Sequence, residues 1–334
     1  MKTLTVDKVF TDTEMDKIAN TFIKPSQINR IFNEDVDIFT TDGTLLIRFR
    51  KKVLNPKDIK AFYDATYEFT TKNPTSNRGS STGSKSKNVY DNPKVMSAIL
   101  GYYDRWGPNH KATFNKLKMS APLEVRETRF SADHPAEFKQ TFPLIQDINK
   151  YYKKLMPEHF KKQNKKAKET PFKIPGTSFT TITTNINFQT SIHKDKGDDG
   201  DGFGNLVVIE KGKYDSGETC IPQYGIGINV REGDVLFMNV HEWHGNLPII
   251  PKEKDTVRMS VVCYLRTKVW KRTRHKSLQF KERHLKTIKR IQQKVRTTTT
   301  NPSSKTKKNK NKNKNKNSKH KREGKHKKGL FSIF

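Results

Sequence analysis

The sequence predicts an α+β protein with a strand-rich core of the jelly-roll kind, flanking helices and a disordered basic C-terminal tail. Between residues 172 and 265, short β-branched or apolar runs alternate with turns rich in Gly, Asp and Pro, as in a sandwich or barrel. Apolar residues recur at helical spacing on either side of this region. The chain then continues in Thr, Asn and Lys repeats that bury too little apolar surface to fold. The predicted core strands cover residues 178–186, 206–209, 226–230, 235–240 and 257–265.

The N-terminal region, residues 1–174, is predicted to be of mixed structure and to pack on the core. Runs of strand-forming residues at 36–40 and 45–49 flank an Asp-Gly dipeptide, which is typical of hairpin turns. Pro56 follows Asn55 and precedes apolar residues at helical spacing, so we expect a helix to begin there.

A long loop is predicted between the helix that begins at Pro56 and a second helix at residues 94–107. Residues 71–92 are rich in Ser, Asn, Gly and Lys, and a loop of this length inside a domain is often functional or disordered. Residues 94–107 and 135–168 have apolar side chains at helical spacing. We therefore divide the chain into the N-terminal region, a core domain at 175–268 and a basic segment at 269–334.

The positive charge is concentrated towards the end of the sequence. The whole chain has 66 Lys and Arg against 34 Asp and Glu, a formal net charge of +32. Residues 266–334 alone hold 26 basic and two acidic side chains, a net charge of +24. Residues 276–296 are expected to form a basic amphipathic helix and residues 297–328 to be disordered. Such a segment binds polyanions by releasing their counterions, so nucleic acid is the expected partner. An acidic protein or an anionic membrane surface carries the same kind of charge and is an alternative partner for this segment.

The two cysteines indicate an intracellular, reducing compartment. Cys220 and Cys263 are well separated and neither belongs to a CxxC pair, which disfavours a disulfide framework and a thiolate zinc site. We expect no disulfide partner. Residues 1–15 do not resemble a secretory signal, and no run of residues approaches the ~20 apolar residues of a transmembrane helix.

A metal site is indicated by an HxD motif at residues 193–195. Residues i and i+2 of a strand point to the same face, so His193 and Asp195 can bind one ion. His244 follows Asp195 by 49 residues, beyond another predicted strand, and is the expected third ligand. Two histidines and one carboxylate leave three coordination positions open, which is the arrangement of non-haem Fe(II) oxygenases.

The open positions of such a site can take a bidentate 2-oxo acid and then O2. Arg258 lies 14 residues after His244 in a predicted strand. Its planar guanidinium suits the far carboxylate of 2-oxoglutarate better than a lysine does. Ser260 points to the same face and can add a hydroxyl donor. The ordered set of HxD, His and Arg on a strand-rich background therefore predicts a 2-oxoglutarate-dependent dioxygenase.

These residues resemble the oxygenase domain of the TET/JBP family, and the similarity covers roughly residues 70–266. The similar stretches are NRG at 77–79, GYYDR at 101–105, TTITTN at 180–185, HKDKGD at 193–198, GDVLF at 233–237, HGN at 244–246 and RMS at 258–260.

The resemblance implies a double-stranded β-helix core that binds Fe(II), with 2-oxoglutarate and O2 as cosubstrates. It implies that His193, Asp195 and His244 are the iron ligands and that Arg258 binds 2-oxoglutarate. It also implies oxidation of the 5-methyl group of a pyrimidine in nucleic acid. The Cys-rich region of animal TET proteins is absent, so the substrate base is either 5-methylcytosine or thymine. The base must be flipped out of a duplex or come from a single strand.

For several polar and aromatic residues near the motif, the sequence allows more than one role. Asn185 and Asn187 precede the HxD motif and can contact 2-oxoglutarate or the base; Asn185 is the preferred candidate. His241 is expected to neighbour the site, and Trp243 either to stack on a base or to lie in the core. Arg78 is either a nucleic-acid contact or a solvated loop cation. The acidic side chains at 198, 199 and 201 are expected to form a solvated turn rather than a calcium site.

Two other functions use the same features. The protein can be a 2-oxoglutarate-dependent hydroxylase of protein side chains, since the iron chemistry is the same. It can also be an inactive fold that binds nucleic acid, although such a protein needs neither the triad nor Arg258. For a base oxidase, the core cleft and the basic tail are both expected to bind nucleic acid, in a nucleus or at a viral replication site.

Overall fold

The structure, a computed structural model, describes residues 2–86, 88–106, 111–112, 114–115, 118–120 and 122–300; the side chains of 292 and 294–300 are outside this description. The Thr, Asn and Lys repeats predicted to be disordered lie almost entirely outside the described residues. Contacts divide the chain into two units, Met1–Val295 and Arg296–Phe334. The second is described only to residue 300, where its backbone is helical. The three-part division of the chain stays a prediction.

The described residues form fifteen strands and eight α-helices. The strands are β1 (Lys2–Val6), β2 (Arg30–Phe32), β3 (Val36–Thr40), β4 (Leu45–Arg50), β5 (Ser97–Tyr103), β6 (Arg126–Glu127), β7 (Thr181–Ile186), β8 (Gly204–Lys211), β9 (Tyr214–Ser216), β10 (Thr219–Ile221), β11 (Ile226–Ile228), β12 (Val235–Met238), β13 (Gly245–Asn246), β14 (Ile249–Pro251) and β15 (Val257–Tyr264). The helices are α1 (Asp12–Ile18), α2 (Pro56–Lys72), α3 (Arg129–Asp133), α4 (Pro135–Gln140), α5 (Phe142–Leu155), α6 (Pro157–Lys168), α7 (Thr267–Thr273) and α8 (Leu278–Thr300).

The strands belong to one large sheet, one small sheet and a separate pair. The large sheet has nine strands in the order β1-β3-β4-β12-β8-β15-β7-β5-β6, and the small sheet has four in the order β13-β10-β11-β2. Strands β9 and β14 form the antiparallel pair. Together with the helices, these sheets confirm the predicted α+β class.

The two larger sheets share one buried apolar cluster. Ile38, Leu46 and Leu236 of the large sheet lie in the same cluster as Ile221 and Ile228 of the small sheet. All five side chains are at most 1% exposed. Burial of apolar surface on this scale contributes roughly 25 cal/mol per Å². This buried cluster therefore holds the small sheet, and the segment after β12, against the large sheet.

The large sheet also packs against helices. Tyr152 of α5 is fully buried, and its ring stacks against Phe179 at 6.1 Å and Phe237 of β12 at 5.7 Å between centroids. Its hydroxyl accepts a hydrogen bond from the backbone N–H of Phe203 at 3.1 Å, just before β8 begins. Ile182 and Ile186 of β7 belong to the same buried apolar cluster as Tyr152, and all six residues of β7 are buried.

Several sequence predictions of secondary structure are confirmed. Strands β3 and β4 form the predicted antiparallel hairpin, and helix α2 begins at Pro56 with the side chain of Asn55 accepting the N–H of Lys57. Helices α4, α5 and α6 lie in the region predicted to be helical at 135–168, and α8 lies where the amphipathic helix was predicted. Within the described residues, no helix has the length and apolar character needed to cross a bilayer.

The helix predicted at residues 94–107 is wrong, because Ser97–Tyr103 is strand β5. This strand pairs with β7 from Ser97 to Gly101, and most of its residues are buried. A strand that is covered on both faces loses the alternation of apolar and polar residues, so its apolar positions can match helical spacing by coincidence.

Gly101 in β5 has a backbone conformation that should not tolerate alanine. Its φ is +84°, and an added Cβ would lie 2.5 Å from the carbonyl oxygen of Thr180. We expect Gly101→Ala to lower the free energy of unfolding by about 2–4 kcal/mol, measured by denaturant titration. Gly43→Ala is the matched control, because Gly43 has the same φ but no atom within 4 Å of the added Cβ. Equal losses in the two variants would show that the contact with Thr180 is unimportant.

Candidate active site

One cavity brings together all the residues that the sequence predicted for metal and cosubstrate binding. It is bounded mainly by strands of the large sheet, by the loop after β7 and by the segment after β12. The predicted residues that line it are His193, Asp195, His244, Arg258, Ser260 and Asn185.

The two histidines lie opposite each other on paired backbone segments. The N–H of His193 donates to the carbonyl of His244 at 2.9 Å, and the N–H of His244 donates back at 2.9 Å. The N–H of Asp195 donates to the carbonyl of Val240 at 2.9 Å. The segment after β7 is therefore held by backbone hydrogen bonds to the segment after β12, and both histidines point to one place.

The three side chains meet with ligand atoms close to one another. Nε2 of His193 is 3.6 Å from Oδ1 of Asp195, and Nε2 of His244 is 3.7 Å from Oδ2 of the same carboxylate. One ligand atom from each residue lies within 4.8 Å of the other two. No other group of three His, Cys, Asp or Glu residues meets this condition within the described part of the chain.

Hydrogen bonds to backbone carbonyls orient both imidazoles. Nδ1 of His193 is 2.7 Å from the carbonyl oxygen of Ser191, and Nδ1 of His244 is 2.9 Å from that of Glu242. A carbonyl can only accept, so we assign the ring proton to Nδ1 in each case. This leaves the lone pair of each Nε2 directed at the shared space, which is the usual arrangement of histidines that bind metal.

The protonation states also suit a divalent cation. Burial, followed by the neighbouring charge of His244, lowers the pKa of His193 to about 4. For Asp195, burial raises the pKa, but hydrogen bonding and charge from His244 and the charge of His193 outweigh it and hold the pKa below its usual range. For His244, burial lowers the pKa, but the hydrogen bond and charge of Asp195 outweigh it and raise the pKa above its usual value, so a metal ion displaces a proton at this ring. Two imidazoles and an ionised carboxylate are a donor set that fits Fe(II).

Arg258 lies in the same cavity and is held at its backbone. The residue is 4% exposed and its Nε has no hydrogen-bond partner among the described residues. Asn187, at φ +46°, accepts the N–H of Arg258 through Oδ1 at 2.7 Å and donates its own N–H to the Arg258 carbonyl at 3.0 Å. Asn187 is therefore a support for Arg258. A buried guanidinium with a free donor suits an anionic ligand.

Ser260 and Asn185 lie side by side on neighbouring strands. Nδ2 of Asn185 is 3.3 Å from Oγ of Ser260, consistent with their pairing in the register of β7 and β15. Oδ1 of Asn185 is buried and has no hydrogen-bond partner among the described residues. An unsatisfied buried amide oxygen costs about 1–3 kcal/mol, so this atom has a reason to bind a donor in the cavity.

The cavity contains further residues that the sequence argument did not place there. Asp198 lines it, and its Oδ2 is buried without a hydrogen-bond partner among the described residues. Burial, followed by the charge of Asp195, raises the pKa of Asp198 well above its usual value. The expected solvated turn is therefore wrong for Asp198 and for Asp199, which is 4% exposed and bonded to Lys166. Only the position of Asp198, three residues after Asp195, could have indicated its role.

Arg266 and two tyrosines form another part of the wall. The guanidinium of Arg266 stacks on the ring of Tyr103 at 4.4 Å and forms an ion pair with Asp104. The hydroxyl of Tyr264 is 3.1 Å from Oγ1 of Thr183. All except Asp104 line the cavity. Arg266, Tyr103 and Tyr264 could not be selected from sequence, because only the pairing of β5, β7 and β15 brings them to the same site.

The remaining candidates separate into cavity and supporting residues. Arg78 lines the cavity, and its Nε is buried without a hydrogen-bond partner among the described residues. It is therefore more than a solvated loop cation. Nε2 of His241 is 3.3 Å from the carbonyl oxygen of Asp199, outside the metal-binding group, as expected for a neighbour. Trp243 packs against a buried apolar cluster that contains Ile192, which favours the core alternative.

Comparison with known proteins identifies the domain. Residues 111–267 match the family model Tet_JBP, described as the oxygenase domain of the 2OGFeDO superfamily. This segment is therefore similar to the oxygenase domain of that family. The match supports the predicted enzyme class, a dioxygenase dependent on iron and 2-oxoglutarate, for this segment.

Curated relatives of the Tet_JBP segment are much longer than this chain. Thymine dioxygenase JBP1 of Trypanosoma brucei brucei is 33% identical over 172 residues, which are 51% of this chain and 19% of that protein. The bifunctional helicase and thymine dioxygenase JBP2 of Leishmania tarentolae is 35% identical over 171 residues, 51% of this chain and 14% of that protein. The chain thus spans about a fifth or less of these relatives. Among solved structures, NgTET1 in complex with 5mC DNA has a TM-score of 0.49 at 13% identity, covering 82% of this chain and 100% of that chain.

Proposed function

We propose that the Tet_JBP domain oxidises the 5-methyl group of a pyrimidine base in DNA, with thymine as the first candidate and 5-methylcytosine as the second. The observation that carries the proposal is the meeting of His193, Asp195, His244 and Arg258 in one cavity. The names of the curated relatives support thymine. The two packed sheets with the triad at one end support a double-stranded β-helix core.

In this proposal, His193, Asp195 and His244 hold Fe(II), which when bound supplies the oxidising chemistry. The carbonyls of Ser191 and Glu242 keep the imidazole protons on Nδ1, so that both Nε2 atoms stay available. The same hydrogen bonds fix the ring orientations before any metal arrives. A ligand set that needs no rearrangement loses little entropy on binding.

Arg258 binds the far carboxylate of 2-oxoglutarate, and Ser260 and Asn185 add polar contacts. Burial of the guanidinium excludes water, which strengthens its attraction for an anion. A small residue is also needed beside Arg258, because a Cβ at Gly217 would lie 3.2 Å from Cδ of Arg258. Gly217 therefore gives the arginine side chain its room.

Asp198 contacts the flipped base. Thymine presents an N3–H donor and 5-methylcytosine an amino group, and either can satisfy the buried Oδ2 of Asp198 that has no partner among the described residues. Arg266, fixed by Asp104 and Tyr103, can donate to a base carbonyl. Together they give the cavity a donor and an acceptor for the polar edge of a pyrimidine.

Replacing Asp198 by asparagine should reduce turnover on DNA by about 10- to 100-fold, because an amide N–H donor in place of Oδ2 would face the N3–H or amino donor of the base. Binding of Fe(II) and 2-oxoglutarate should persist. The matched control is Asp201→Asn in the same loop, because Asp201 is exposed and bonds Lys166 instead. Steady-state rates on an oligonucleotide check the prediction. A normal rate for Asp198→Asn would remove Asp198 from base recognition.

The proposed function is tested by offering substrates in parallel. Protein loaded with Fe(II) and 2-oxoglutarate without oxygen is mixed with air and with DNA containing thymine, DNA containing 5-methylcytosine, or a peptide mixture rich in proline and lysine. Mass spectrometry of nucleosides and peptides follows. A hydroxylated base is the expected product. Hydroxylated peptide with unchanged DNA would establish a protein hydroxylase, and folded, iron-loaded protein that forms no succinate would establish an inactive binding fold.

The basic segment at 269–334 is proposed to bind nucleic acid alongside the core cleft. Its charge supplies affinity that does not depend on sequence. A nucleus or a viral replication site is the proposed location, because both hold DNA under conditions that keep Cys220 and Cys263 reduced. Both thiols are buried and free.

A further inference from the structure

A second basic region lies within the folded part of the chain, far in sequence from the C-terminal repeats. Residues 150–173 contain nine lysines and two glutamates, a net charge of +7. Lys161, Lys165 and Lys168 of α6 are exposed and make no salt bridge within the described residues. Their i, i+4 and i+7 spacing places them on one face of the helix.

Helix α7 extends this region. Lys268, Lys271 and the adjoining Arg274 are exposed as well. The ends of the two helices are joined: Oγ1 of Thr170 is 2.6 Å from Oγ1 of Thr273, and the N–H of His275 donates to the carbonyl of Glu169 at 2.8 Å. We give the name lysine surface to six of the exposed basic side chains on or next to these helices: Lys161, Lys165, Lys168, Lys268, Lys271 and Arg274.

Trp270 sits between cations of the two helices. Nζ of Lys166 lies 5.4 Å and Cζ of Arg274 lies 5.5 Å from the centroid of its ring, and its Nε1 donates to Glu169 at 2.8 Å. The tryptophan therefore connects the two basic helices. Asp199 and Asp201 offset the charge of Lys166, so the exposed cations around it are the ones available to a polyanion.

The two helices that carry the lysine surface pack directly on the wall of the cavity. Lys166 of α6 bonds Asp199, the residue after Asp198, and Asp201. Helix α7 follows Arg266, and the N–H of Thr267 donates to the carbonyl of Gly197 at 3.0 Å. Asp198 and Arg266 both line the cavity. Both basic helices thus pack on the loop that carries the proposed base contact.

We propose that the lysine surface binds the sugar-phosphate backbone of the DNA strand whose base enters the cavity. This inference rests on the proposed function and adds the element that positions the strand. From Lys161 to Lys168 the helix rises about 10 Å, which is the length of about three phosphates along one strand. The lysine surface binds a row of phosphate groups and not a single anion, because its cations are spread over two helices.

The test compares three full-length triple variants with the wild type. Lys161→Gln/Lys165→Gln/Lys168→Gln removes three charges of the lysine surface. Lys211→Gln/Lys213→Gln/Lys254→Gln removes three exposed charges near the C-terminal end of β8 and has the same net charge as the first variant. Lys161→Arg/Lys165→Arg/Lys168→Arg keeps the charge and controls for side-chain shape. Fluorescence anisotropy with a labelled duplex oligonucleotide gives Kd over a range of salt concentrations.

We expect the first variant to bind at least about tenfold more weakly and to reduce the slope of log K against log salt by about 2 to 3, since each phosphate contact contributes about 0.9. The lysine-to-arginine variant should keep the slope, and the β8 variant should change it by less than one. Equal losses in the two glutamine variants, or no loss in either, would overturn the proposal. Normal DNA binding together with lost binding to phosphatidylserine vesicles would assign the surface to membranes instead.

The same variants distinguish failure of this inference from failure of the proposed function. Suppose that the wild type oxidises DNA and that the first glutamine variant does so with an unchanged KM for DNA. The proposal that the lysine surface binds DNA is then wrong, and the proposed function stands. If the wild type neither binds nor oxidises DNA, the proposed function fails and the surface proposal fails with it.

Discussion

Replacing His193 by alanine should abolish iron binding and reduce oxidation of DNA by at least ~10³-fold, while the protein stays folded and binds DNA with unchanged affinity. The reason is geometric. Asp195 has His193 on one side and His244 on the other, at 3.6 and 3.7 Å, and the remaining pair cannot hold a divalent ion in a fixed position. Iron content after desalting and product formation per unit time are the two measurements.

His241→Ala is the matched control for this change. His241 lies three residues before His244, and its Nε2 is near the carbonyl of Asp199 rather than in the triad. It should retain iron and most of its activity. If His193→Ala binds iron normally, or if His241→Ala loses as much iron as His193→Ala, the assignment of the ligands is wrong.

Replacing Arg258 by methionine should weaken binding of 2-oxoglutarate by about 100-fold or more. Two charge-assisted hydrogen bonds of about 1.5–3 kcal/mol each are removed from a buried site, and methionine has a similar length without the charge. The change should raise the KM for 2-oxoglutarate far more than the KM for DNA. Calorimetry with Mn(II) in place of Fe(II) measures the affinity without turnover.

Two further variants sharpen the test of Arg258. Arg258→Lys should be intermediate, because lysine keeps the charge but loses the planar pair of donors. Arg231→Met is the control, since Arg231 bonds Glu210 at 3.2 Å and stacks on Tyr214 at 4.3 Å, and it is not among the residues that line the cavity. Normal affinity for 2-oxoglutarate in Arg258→Met would show that another group binds its far carboxylate.

The residues proposed to bind the metal and the cosubstrate could be selected from sequence because their spacing is a local signal. His193 and Asp195 are two residues apart, and Arg258 and Ser260 share one face of β15. Each pair follows from the alternation of side chains along an extended chain. Asn187 was recognised but given the wrong task, since its hydrogen bonds to Arg258 depend on a turn at positive φ.

The substrate side of the cavity could not be found in the same way. Arg78, Tyr103 and Arg266 come from three distant segments, and only the strand order brings them together. Strand β5, which carries Tyr103, was even predicted as helix because burial on both faces removed its alternation. Asp198 was expected in solvent, since nothing in the sequence shows that Arg266 and α6 cover its loop.

The most direct test of the central claim follows the oxygen atom. Iron-loaded protein, 2-oxoglutarate and thymine-containing DNA are exposed to O2 enriched in a heavy isotope, and the nucleosides and succinate are both examined by mass spectrometry. We expect one heavy oxygen on the 5-methyl carbon of the base and one in succinate, with one succinate for each oxidised base and none of either in His193→Ala. Heavy succinate without any labelled base, on thymine or 5-methylcytosine DNA, would contradict the claim that this cavity oxidises a pyrimidine.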